Sequence, residues 1–93
     1  MTNAEVETQF LEHCAAGVER LEWTDGNVLY SGYQVLAEWL EDGALFLCPP
    51  ASEWSRTARR RWQRFVHRVD SDPLLRELSV VRPTSPRGER SIV

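Results

Sequence analysis

The sequence predicts one small α+β domain, on three observations. Apolar residues recur at helical spacing in two long segments, near 4–21 and 52–69. Short apolar runs of strand character stand near 20–30, 44–48 and 74–82, set off by Asp-Gly, Pro-Pro and Asp-Pro. Ninety-three residues suffice for one domain with one modest core.

The first helix is predicted over 4–21, because Val6, Phe10, Cys14, Val18 and Leu21 share one face. Thr2 or Asn3 caps its start, and Glu5 and Glu7 suit the positive end of the helix dipole. Gly17 weakens its last turn. Asp25-Gly26 between apolar flanks then predicts a short hairpin over 20–30.

Residues 31–42 fit two periods. As a strand, Tyr33, Val35, Ala37 and Trp39 alternate; as a helix, Gln34, Glu38 and Glu41 share a polar face. Leu, Ala, Glu and Gln favour the helix, with Gly43 ending it, although Glu41 and Asp42 would sit at the wrong end of its dipole. The helix is the expectation.

The run 44–48 reads as a buried strand stopped by Pro49-Pro50. A helix over 52–69 follows, capped by Ser52, with Trp54, Ala58, Trp62, Phe65, Val66 and Val69 on one side. Residues 74–82 read as a last strand, and the strands on either side of this helix suit a right-handed β-α-β unit. The domain is expected over 1–83, with 84–93 a flexible tail rich in Pro, Ser and Arg.

Charge is divided along the chain. Residues 1–50 hold nine acids and one Arg, whereas 51–93 hold ten Arg and five acids; there is no Lys. Arg56, Arg60, Arg64 and Arg68 recur every fourth residue and form a stripe opposite the Trp54/Trp62 side, flanked by Arg59 and Arg61. Guanidinium groups bind phosphate and carboxylate in bidentate fashion, so the stripe suits either nucleic acid or an acidic protein. Glu5, Glu12 and Glu19, seven apart, form an acidic ridge that complements it, within one chain or between two.

Other chemistry finds little support. Cys14, Cys48, His13 and His67 lack metal-ligand spacing, and both cysteines fall in apolar runs where inert core thiols sit. Glu41/Asp42 and Asp70/Asp72 fall at element ends, as turn and cap residues do. No phosphate-binding Gly-rich loop or nucleophile elbow occurs, and no cofactor is implied. The terminal Ser91-Ile92-Val93 weakly suits strand addition to a carboxylate-binding groove. No membrane-length apolar run or basic leader is present, which predicts a cytoplasmic protein.

The segment from Phe10 to Leu40, with Trp23, Tyr30, Gly32 and a following helix, is similar to the N-terminal third of the NTF2-like fold. That fold continues as a long curved sheet where this chain has an Arg-rich helix, so no activity is carried over. The functional expectation is a non-enzymatic binding or regulatory protein that acts on a protein partner, a homodimer included. Partners would dock on Trp54 and Trp62, oriented by the charged faces. The alternative is a nucleic-acid-binding module that uses the Arg56–Arg68 stripe.

Overall fold

The computed structural model describes residues 1–18 and 21–81. Glu19 and the expected tail, with Ser91-Ile92-Val93, lie outside the described residues. The elements run α1 (Asn3–Leu11), β1 (Ala15–Gly17), β2 (Glu22–Asp25), β3 (Val28–Ser31), β4 (Gln34–Trp39), β5 (Leu45–Leu47), α2 (Arg56–Asp70), α3 (Pro73–Leu78) and β6 (Ser79–Val81). Three helices and a six-stranded mixed sheet make up the described α+β domain. The strands lie in sequence order, antiparallel throughout until β6 joins β5 in parallel.

α1 begins as expected. The Thr2 hydroxyl accepts from the Glu5 N–H at 3.1 Å, and the Glu5 carboxylate accepts from the Thr2 N–H at 2.7 Å, a complete capping box. The helix stops at Leu11, however, and not near Leu21. His13 turns into the left-handed region at φ 62°, and the Cys14 N–H closes the end on the Gln9 carbonyl at 2.8 Å. Beyond it, Ala15–Gly17 pair with β2 as an edge strand. Gly17 is the reason that this is possible: at φ 87°, a Cβ there would lie 2.5 Å from the Glu22 carbonyl oxygen.

The Asp-Gly hairpin forms between β2 and β3, where Asp25 Oδ1 accepts from the Asn27 and Val28 N–H groups, each at 2.9 Å. The expected helix over 31–42 is instead β4, a strand paired on both sides. Its register against β3 shifts, with Leu29 opposite Ala37 but Tyr30 opposite Val35, so Leu36 is an extra residue. Leu36 and Ala37 are therefore both fully buried. That adjacent pair breaks the two-residue alternation and mimics a helical face. β5 falls inside the expected 44–48.

α2 starts at Arg56 behind a Ser55 cap, later than Ser52 would place it, because Ala51–Trp54 closes as a turn. Ala58, Phe65 and Val69 face inward as expected. The strand expected over 74–82 starts late: Asp72 caps Leu74 and Leu75 through its carboxylate, Pro73 occupies the first turn of α3, and among the described residues of that stretch only Ser79–Val81 is extended.

The main core lies between the helices and one face of the sheet. α1 supplies Val6 and Phe10, the sheet Leu29, Leu36, Ala37, Trp39, Leu45 and Leu47, and the α2 segment Trp54, Ala58, Phe65 and Val69. The Phe10 ring is 5.7 Å from Trp39 and 5.8 Å, edge-on, from Phe65. By strand alternation Trp23, Val28, Tyr30 and Phe46 lie on the other sheet face, where Trp23 and Tyr30 stack at 4.2 Å.

Candidate functional site

α2 carries the stripe that the spacing predicts, but the guanidinium groups divide into two sets. Arg56, Arg60 and Arg64 are exposed, and no hydrogen bond or ion pair among the described residues holds their side chains. Arg68 is a clamp onto α1. It donates to the Ala4 carbonyl at 3.0 Å and to Thr8 Oγ1 at 2.6 Å, and it pairs with Glu7 at 3.5 Å. The flanking residues also bind inward: Arg59 to the Ala51 carbonyl at 2.6 Å, and Arg61 to Ser31 Oγ at 2.8 Å.

The expected tryptophan anchors fare differently. Trp54 is only 7% exposed and belongs to the core, so it is not part of a docking surface. Its position before the Ser55 cap, rather than on the helix, lets the ring turn inward. Trp62 is half-buried against the core, with its indole nitrogen buried and without a hydrogen-bond partner among the described residues.

The acidic ridge does not form on a helix. Glu5 is tied to Thr2 in the capping box, and those hydrogen bonds hold its carboxyl below the usual range. Glu12 is exposed at the C-cap, beyond the last helical turn, and Glu19 lies outside the described residues. The acid that meets the stripe is Glu7, which the sequence reading placed only in the first turn.

Glu7 and Glu22 are the residues that pattern reading missed. Both are buried, and Glu22 is 1% exposed with neither carboxyl oxygen hydrogen-bonded. Burial pushes the Glu22 carboxyl up to about 9, the neighbouring Glu7 adds to this, and Arg61 and Arg64 oppose it. The signals were faint: Glu7 follows Val6 on the inward side of α1, and Glu22 alternates with Trp23 in the less apolar phase. A cleft of about 550 Å³ opens beside Glu7, lined also by Thr2, Asn3, Ala4, Arg64 and Arg68.

Cys14 is exposed, contrary to the expected core thiol, because α1 ends before it and leaves it in the turn to β1. Cys48 is half-buried and packs against the core. The His13 ring lies 4.5 Å from Trp39, and His67 is exposed in the last turn of α2. Among the described residues no group of three or more His, Cys, Asp and Glu could hold a metal ion. No described helix is long and apolar enough to cross a membrane.

No family model, curated protein or solved structure matches this chain. The segment likened to the NTF2-like fold also lacks the helix that the likeness included, since β4 occupies that place.

Proposed function

We propose that the protein is a non-enzymatic binding protein that docks an acidic protein surface on the outer side of α2. The observation that carries this reading is the row Arg56, Arg60 and Arg64: three exposed guanidinium groups on one rigid helix, none in a hydrogen bond or ion pair among the described residues, with Arg64 at the end of the row also turned towards Glu22 and the cleft. The other three arginines fix the helix to Ala51, β3 and α1, so the row is presented in a set orientation. Guanidinium groups so placed grip carboxylates in pairs and steer an approaching acidic surface.

A second copy of the chain is the first partner to consider. Its residues 1–50 carry a large excess of acid, with Glu12, Asp25, Glu41 and Asp42 all exposed. Light scattering at low and near-physiological salt tests this, on the wild type and on a variant with Arg56, Arg60 and Arg64 all changed to Ala. A wild-type dimer that weakens with salt and is absent in the variant supports self-docking. A monomer at both salts removes the second copy and leaves only a different acidic protein. The nucleic-acid alternative, on the Arg56–Arg68 stripe, would use the same exposed arginines and is separated by oligonucleotide binding at two salt concentrations.

A further inference from the structure

β2 carries Glu22 into the side of the sheet that faces the helices. The groups facing it are Glu7 from α1 and Arg61 and Arg64 from α2. Its cross-strand partner on β3 is Ser31, whose hydroxyl already accepts from Arg61. β1, the strand on the other side, is Ala15-Ala16-Gly17 and brings no charge. Glu7 is itself buried, and its one described ion pair is to Arg68, which also holds the Ala4 carbonyl and Thr8 of α1. A buried carboxyl set against a second buried carboxyl, with one proton to share between them, is costly once both are ionised.

We propose that Glu22, Glu7 and Arg68 form a proton-held latch that fixes α1 to the sheet and releases it when Glu22 gives up its proton. With the proton in place, Glu22 is a neutral acid behind Glu7, and the charge of Glu7 is matched by Arg68. When base removes the proton, no heavy-atom bond changes, but two carboxylates then face each other away from water. Arg61 and Arg64 offset part of that repulsion. β2 is the less free to yield, because Trp23–Asp25 pair with β1 and Glu22–Thr24 with β3. α1 is the freer: it is nine residues long and is held chiefly by Val6, Phe10 and the Arg68 clamp. Glu7, Arg64 and Arg68 also line the cleft at the start of α1, so release of the helix reshapes that opening.

Amide hydrogen exchange, corrected for its intrinsic pH dependence, tests the latch on the whole chain and on Glu22→Gln. From neutral pH up to the Glu22 midpoint, α1 amides of the wild type should lose protection by up to about tenfold per pH unit and level off above it, while β3 and β4 amides keep theirs. Glu22→Gln should hold α1 protection flat. Carboxyl-carbon NMR of the wild type supplies a reading that does not depend on the variant folding, and Glu22 should titrate far above the ordinary carboxylate range. Loss of protection by α1 and sheet together, an unchanged α1 profile in Glu22→Gln, or ordinary titration of Glu22 would each overturn the proposal.

Discussion

The Trp39 indole N–H donates to the Phe10 carbonyl at 3.0 Å, joining the last turn of α1 to β4 across 29 residues of chain. The same two side chains are in ring contact, and Phe10 also meets Phe65 of α2. One residue pair thus joins the first helix, the sheet and the Arg-bearing helix.

Phe10→Ala should therefore destabilise the fold by about 3–5 kcal/mol, the usual cost of emptying a fully buried aromatic site. Trp39→Phe keeps most of the packing but removes the indole donor from the Phe10 carbonyl, which retains the His13 N–H, a loss of about 0.5–1.5 kcal/mol. Urea denaturation of the three proteins measures both. Equal stability of Phe10→Ala and wild type would mean that α1 does not pack as described.

Stability should depend on pH through Glu22. Its folded-state value of about 9 lies above the ordinary 4.5, so the folded protein keeps a proton that the unfolded chain has lost. The contribution is therefore fully present below pH 4.5 and is lost as pH rises towards 9, by at most about 1.4 kcal/mol per pH unit. Glu22→Gln should match the wild type at acidic pH and exceed it at alkaline pH. Thermal melts across that range would show parallel curves for the two proteins if Glu22 carried no such shift.

Two arginines eight residues apart on α2 should behave oppositely. Arg68→Ala removes the partner of buried Glu7 and two hydrogen bonds to α1, at a cost of about 1–3 kcal/mol. Arg60→Ala, on the exposed row, should leave the melting temperature unchanged. Similar melting shifts for both would erase the division between clamp and binding row.

Cys14 should react with a thiol reagent in the native state well before Cys48, since Cys14 is exposed and Cys48 packs against the core. Mass spectrometry after brief labelling identifies the site. Slow labelling of both until unfolding would restore the long first helix.

What could be read from the sequence was local. Thr2 was legible as one of two candidate helix caps, Asp25-Gly26 spelled a hairpin, and Ala58, Phe65 and Val69 marked the inner side of α2. The failures came where tertiary contacts overrode local preference. Cys14 and Val18 continued a helical period by coincidence, but β2 recruited Ala15–Gly17 as an edge strand. The Leu36 bulge gave β4 an apolar doublet that resembles a helix face. The arginine stripe was visible as spacing, yet its division was not, because Ala4, Thr8, Ser31 and Ala51 are distant partners that no period encodes. Glu7 and Glu22 were hidden for the same reason: a carboxylate is read as surface until a second element is placed over it.

The most direct test of the binding row is an affinity measurement with duplex and single-stranded oligonucleotides at low and near-physiological salt, on the wild type and on Arg60→Ala/Arg64→Ala. A phosphate contact through these side chains would release counterions and weaken steeply with salt. The acidic half of the chain repels phosphate, and an acidic protein partner needs no such contact. Weak oligonucleotide binding by the wild type near physiological salt, with the fold of the double variant intact, is the predicted result. Submicromolar binding that the double variant abolishes would contradict it and make α2 a nucleic-acid-binding helix.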